Sequence, residues 1–363
     1  MVSLNSPNMA AFEKAAPLSH GHVEADGKAA PSPLRLGTRA AVFDAAPAAA
    51  GVVRILPAAP VDASDVESDA FLEEARRKLA TDGFVVLRGL IPRDDVLAAR
   101  RTVLRAYDAR GDVVEPTSDT LLPGCGAGCV PFTEGRNELT HSDAMLRVLA
   151  APRAARFFER LFGEAALTLD YKWLRGVPRG VATGCHLDRV YMGRGTERLM
   201  TCWIPLGDET PLDLGGLAML EGSHDPNGPF RKLHATYGAM DVERDGLQGS
   251  GWFTEDPLEI SARFAPDATW RACATYEAGD AVVFGLGLLH MSTANLTDRV
   301  RLSADVRWQP RSEKVDPRYV GAVDAADRVA SGALSADGAA AAGRVSIGDL
   351  KRRWGFAPFV APV

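Results

Sequence analysis

The sequence predicts a mainly β protein with flanking helices, its core an antiparallel sandwich or jelly roll. Three observations carry this. Between Ala166 and Trp308, short apolar or alternating runs recur between Gly, Pro and Asp turns. The preceding hundred or so residues carry helical periodicity around one apolar, β-branched run. No internal repeat and no alternating strand–helix pattern argues for a parallel sheet. A chain of 363 residues with 46% hydrophobic and 24% charged residues can bury a sizeable core.

Taken in order, residues 1–66 are rich in Ala, Pro, Gly and Ser with few aromatics, and are expected to be largely disordered. A short strand over Val52–Leu56 is the one regular element expected there. The folded domain is expected to span 67–363. Asp69 is placed to cap a helix through FLEEARRKLATDG that ends at Gly83. GFVVLRGLI then reads as a buried strand, and Pro92 opens a second helix where its missing N–H costs nothing. A third helical stretch, AMLRVLAAPRAARFFERLFG, is kinked or interrupted at Pro152. The β core follows over about 166–310, interrupted by a polar, aromatic-dotted insertion at about 225–267 of the length that often serves as a lid. A short C-terminal helix is expected at about 346–355.

Composition removes several function classes. A net charge of −6 gives no electrostatic reason to wrap nucleic acid or lie on an anionic membrane. No apolar run reaches the roughly 18–20 residues of a membrane helix, and the first residues lack a signal-peptide core. Five cysteines are too few for a disulfide scaffold, so a cytoplasmic, reducing setting is expected. Glycine-rich Gly193-Arg194-Gly195 has no strand–helix context for a nucleotide, and no P-loop or G-x-S-x-G elbow is present.

The chemistry concentrates in TGCHLDRVYMG. His186 and Asp188 are two residues apart, so on a strand both side chains project from one face. A later strand, DAVVFGLGLLH, ends at His290. Two imidazoles and one carboxylate can occupy three positions on one face of an octahedral ion and leave three open, the arrangement of non-haem Fe(II) oxygenases. In the next strand, Arg301, Ser303, Asp305 and Arg307 alternate with Val300, Leu302, Ala304, Val306 and Trp308. This puts Arg301 and Ser303 on a common inner face, where a guanidinium needs an anionic partner such as a dicarboxylate.

These segments, from GFVVLRGLI through H-x-D, LGGLAMLEGSH, GDAVVFGLGLLH and RVRLS, resemble the phytanoyl-CoA dioxygenase-like (PhyH) family over about residues 67–310. The resemblance implies a double-stranded β-helix (jelly-roll, cupin-like) core. It also implies an enzyme that uses Fe(II), O2 and 2-oxoglutarate to hydroxylate a C–H bond of a small molecule, with succinate and CO2 as co-products. It makes His186, Asp188 and His290 the iron ligands and Arg301, with Ser303 beside it, the seat of the far cosubstrate carboxylate. A further cosubstrate contact falls to Lys172 or Arg175. Leu187 departs from the polar residue usual between the ligands, which leaves the substrate class open. Related halogenases lack the carboxylate ligand, whereas this chain has Asp188.

Other candidates read as bland. His141-Ser142-Asp143 repeats the spacing but precedes a helix, where Ser142 or Asp143 serves as N-cap. His20 and His22 lie in the Ala/Pro-rich tail, and Cys125 and Cys129 have no second pair with which to bind zinc. His224 reads as a turn residue and His234 as solvated. Two rival functions share the triad: a zinc hydrolase or lyase, and a catalytically silent jelly roll that binds a ligand.

Overall fold

The computed structural model describes residues 34–44, 51–109, 139–247, 251–320, 351–353 and 355. Its N-terminal strands are β1 (Arg35–Leu36), β2 (Arg39–Phe43), β3 (Val53–Pro57) and β4 (Val61–Asp62). Helix α1 (Asp69–Thr81), β5 (Phe84–Arg88) and helix α2 (Arg93–Asp108) follow. Next come α3 (Asp143–Leu149), α4 (Pro152–Phe162), β6 (Ala166–Thr168), β7 (Trp173–Val177), α5 (Arg189–Met192) and β8 (Met200–Pro205). Strands β9 (Glu209–Pro211) and β10 (Leu217–Leu220) precede helices α6 (Arg231–Ala235) and α7 (Pro257–Phe264) of the insertion. The chain closes with β11 (Trp270–Ala272), β12 (Thr275–Glu277), β13 (Ala281–Gly285), β14 (His290–Ser292) and β15 (Arg301–Pro310).

The strands form two facing sheets and a small β9–β12 pair. The larger runs β4-β5-β13-β8-β15-β6, with β7 also paired to β15; the smaller runs β1-β2-β3-β11-β10-β14. Apart from the parallel pairs β2–β3, β3–β11 and β4–β5, neighbours are antiparallel, giving a jelly roll. Strand alternation explains why the runs look apolar throughout. Val85 and Leu87 face outward to α2, α3 and α4, while Phe84 and Val86 face inward to the smaller sheet. On β15 the outward residues Leu302, Ala304, Val306 and Trp308 join the helical layer, where Trp308 stacks on Phe158 at 5.1 Å. The inward residues Arg301, Ser303, Asp305 and Arg307 are all buried and polar. This face builds the site.

Two local expectations change. Order begins well before residue 67, because β3 lies inside the smaller sheet with Val53 and Ile55 buried. β3 is the short strand expected over Val52–Leu56, displaced by one residue, and its partner β11 comes from far along the chain. The cap of α1 is Ser68, whose hydroxyl accepts from the Phe71 N–H, rather than Asp69. Pro152 interrupts the third helical stretch outright, starting α4 at its first turn, and Ser142 caps α3 as its sequence suggests. Of the expected C-terminal helix, residues 351–353 are helical, and Lys351 pairs with Glu259 at 2.8 Å. Residues 1–33, with His20 and His22, and Cys125 and Cys129 lie outside the described residues.

Candidate metal centre

His186 and His290 meet through the backbone. Each N–H donates to the other's carbonyl, at 3.1 and 3.2 Å, which extends the smaller sheet beyond β14. His290 therefore begins a strand, after the turn that follows β13, rather than ending one. Asp188 is not on a strand either. It sits at φ −61°, ψ −24° as the N-cap of α5, and this turn, not strand alternation, swings its carboxylate between the imidazoles. Asp188 Oδ1 lies 3.7 Å from His186 Nε2 and 3.8 Å from His290 Nε2. The three side chains form the metal-competent cluster among the described residues.

Each of the three side chains is held from behind. His186 Nδ1 is 2.8 Å from the Gly184 carbonyl and His290 Nδ1 is 3.0 Å from the Leu288 carbonyl. A carbonyl can only accept, so Nδ1 carries the proton and Nε2 presents its lone pair inward. Burial, reinforced by His290, pushes the His186 imidazole down to about 3. Burial lowers His290 as well, so both rings are neutral donors at pH 7. Burial alone would raise the Asp188 carboxyl, but Arg307, the two imidazoles and the Thr201 hydroxyl hold it below the usual carboxylate range. Its outer oxygen, Oδ2, accepts from Thr201 Oγ1 at 2.5 Å and Arg307 Nη2 at 3.2 Å. Two neutral imidazoles and an ionised carboxylate converging from one side fit a divalent first-row ion with open positions.

Beside the cluster, β15 presents its polar face. Arg301 is 2% exposed and donates through Nη1 to Ser303 Oγ at 2.5 Å, while its Nε has no partner. Among the described residues no carboxylate lies within ion-pair distance of it. Burial and then the Arg175 charge push Arg301 down to about 10, still cationic at neutral pH. Trp203 lies 5.9 Å from its guanidinium. Arg175 is opposite Ser303 in the β7–β15 register and pairs with Asp305 at 2.8 Å. Lys172 turns away, donating to Thr168 Oγ1 at 2.9 Å and the Leu169 carbonyl at 2.6 Å.

Sequence reasoning did not single out Arg307 or Thr201. The two-residue period already put Arg307 on the face of Arg301, but its partner Asp188 is 119 residues away in sequence. Thr201 is directly opposite Arg307 in the β8–β15 register. His224 and His234 accept structural roles: His224 Nε2 is 3.2 Å from the Ala80 carbonyl and His234 Nε2 is 2.8 Å from that of Ser223. Cys185 is buried against the smaller sheet, where burial raises its thiol well above the usual range. The insertion packs onto the ligand-bearing segment. Cys185 N–H donates to the Thr254 carbonyl at 2.8 Å and Val242 N–H to that of Val190 at 2.9 Å.

A jelly roll that gathers two imidazoles and one carboxylate defines a mononuclear metal enzyme of the cupin type. The family model described as Phytanoyl-CoA dioxygenase (PhyH) matches residues 79–303, and the chain belongs to that family of iron- and 2-oxoglutarate-dependent enzymes. No curated protein sequence matches the chain. Among solved structures, it is similar to the epimerase SnoN in complex with Fe3+, alpha ketoglutarate and nogalamycin RO. That pair is 22% identical with a TM-score of 0.48, over 69% of this chain and 88% of SnoN. EctD from S. alaskensis with 2-oxoglutarate and 5-hydroxyectoine is 18% identical with a TM-score of 0.47, over 72% of this chain and 85% of EctD. AviO1 from Streptomyces viridochromogenes Tue57 is 16% identical with a TM-score of 0.45, over 69% of this chain and 97% of AviO1. No helix among the described residues is long and apolar enough to cross a membrane.

Proposed function

We propose that this protein is a cytoplasmic Fe(II)- and 2-oxoglutarate-dependent dioxygenase that hydroxylates an unactivated C–H bond of a small molecule, releasing succinate and CO2. The observation that carries this reading is Arg301, a buried cation with a spare donor and no carboxylate partner among the described residues, on the wall beside the triad. A zinc hydrolase or lyase does not require such a group, whereas a dicarboxylate chelating the metal would place a counter-ion within hydrogen-bonding reach of it.

His186, Asp188 and His290 would hold the iron, which when bound supplies the O2-activating chemistry. Arg301 takes the distal carboxylate of 2-oxoglutarate, and Ser303 fixes the guanidinium's orientation. Arg175, rather than Lys172, is the further basic group toward the cosubstrate, since it shares the inner face and is pinned by Asp305. Burial of the centre by both sheets and by the insertion excludes water from the reacting region. We assign substrate selectivity to the 225–267 insertion, which packs against the H-x-D segment. The free, buried thiols of Cys185, Cys202 and Cys273 suit a reducing compartment.

The test is anaerobic reconstitution with Fe(II) and 2-oxoglutarate, read by the weak visible absorption of the chelate. Wild type is expected to show the band and Arg301→Ala to need at least about tenfold more 2-oxoglutarate to develop it, the loss of one buried charge-assisted contact. Stoichiometric iron without a band in wild type would overturn the reading in favour of a zinc enzyme or a silent binder.

A further inference from the structure

Asp188 is contacted from behind in an unequal way. The guanidinium of Arg307 carries a side fork, Nε with Nη2, of the kind that grips both oxygens of a carboxylate. The Arg39–Asp256 pair in this same protein uses such a fork, with Nε 2.9 Å from Oδ1. Arg307 does not. It reaches Asp188 through Nη2 alone and touches Oδ2 alone, while its Nε and Nη1 are buried without partners. The Thr201 hydroxyl donates to the same oxygen at 2.5 Å. Oδ1, which faces the two imidazole Nε2 atoms, receives no hydrogen bond from either group. A guanidinium placed for stability alone would satisfy its donors, because burying them unpaired is costly.

Arg307 is itself held. Its side chain is 4% exposed, and its guanidinium lies 4.6 Å from the Trp173 ring on β7. Thr201 is its direct cross-strand neighbour, so two adjacent strands of the larger sheet present both donors to one oxygen. We propose that Arg307 and Thr201 are positioning residues that keep Asp188 a one-oxygen ligand. By occupying Oδ2 they prevent the carboxylate from turning both oxygens to the metal. Two-oxygen binding would consume one of the three positions that a chelating 2-oxo acid and O2 need. This inference rests on the function proposed above and assigns its open coordination positions to two residues outside the ligand set.

The test titrates 2-oxoglutarate into the anaerobic Fe(II)-loaded full-length protein and reads the chelate band, with thermal unfolding of each metal-free protein in parallel. Arg307→Met keeps length and apolar packing over Trp173 but removes the donor. We expect its 2-oxoglutarate midpoint to rise about tenfold or more, the range usual for groups that orient metal ligands. Its melting temperature should fall by no more than about 4 °C in a chain of this size. Thr201→Val removes one hydroxyl from an otherwise intact strand and should move the midpoint in the same direction, which keeps the test decisive where Arg307→Met does not fold. Midpoints within twofold of wild type in the folded variants would overturn the proposal, because a merely structural Arg307 would move the melting temperature alone. Absence of the band from wild type would instead strike at the proposed function, so the two failures are distinguishable.

Discussion

Lys172 and Arg175 are three residues apart and both basic, yet they do unlike work. Trp173, Arg175 and Val177 alternate along β7, and Arg175 emerges on the face that meets Asp305. Lys172 precedes the strand and turns back to cap the Leu169 carbonyl and the Thr168 hydroxyl. Burial pushes its ammonium down from 10.5 to about 8, against the pull of Asp170. The sign follows from proton counts. Between those two values the unfolded chain holds a proton that the folded chain lacks, so this group's contribution to stability rises with pH across the window. The full difference is about 3 kcal/mol. In urea denaturation, wild type is expected to gain stability between pH 8 and pH 10 relative to Lys172→Met, and parallel pH profiles for the two would refute the assignment. The same variant should leave the 2-oxoglutarate midpoint unchanged, since Lys172 makes its bonds away from the Arg301 wall.

At the scale of elements, the junction of α1 and β5 is a tight one. Gly83 has φ +88°, a left-handed conformation, and a Cβ there would lie 2.4 Å from His224 Nδ1 and 2.8 Å from Leu288 Cδ1. It therefore joins the helical layer to the turn that delivers His290. Gly83→Ala is expected to cost about 2 kcal/mol or more from backbone strain and contact together. Adding His224→Ala should recover the contact part and not the strain; a fully additive double variant, measured by chemical denaturation, would contradict that. Elements of this kind explain what the sequence discloses. Strands whose two faces are both buried, such as β5 and β15, are legible because their alternation or apolar run is local. β1 and β2 are not, because they join the sheet through β3, the short strand the sequence does suggest, whose partner β11 lies more than 200 residues away, paired Trp270 to Ile55. The triad was legible by residue type and spacing, but the helical turn at Asp188 was not, since nothing in H-L-D distinguishes a strand from a strand end. The Arg307–Asp188 contact needed a register that only the folded sheet supplies.

For the molecule as a whole, the metal centre depends on segments that meet far from it in sequence. Arg318, 2% exposed, pairs with Asp316 at 2.6 Å and Glu243 at 3.2 Å and donates to the Tyr191 carbonyl at 2.7 Å. Arg194 pairs with Asp241 at 2.5 Å and Glu243 at 3.0 Å. This network ties the segment after β15 and the insertion to α5, whose Tyr191 ring stands edge-on to His186 at 5.7 Å. Burial opposes ionisation of Asp241, but the Arg194 hydrogen bond, the Arg244 backbone N–H and the surrounding guanidinium charges bring it from 3.8 down to about 2. A carboxyl depressed in the folded state contributes stability that is complete above its unfolded value and is lost as pH falls through the folded one. The window here is therefore about pH 4 down to pH 2. Asp241→Asn should be less stable than wild type at neutral pH and should lose less stability than wild type on acidification across that window. Because the clasp reaches α5, its loss should also broaden the His186 environment, which the ring-proton signals of the metal-free protein would report as exchange broadening at neutral pH. Identical acid-denaturation profiles and an unchanged His186 signal would show that the network does not support the centre.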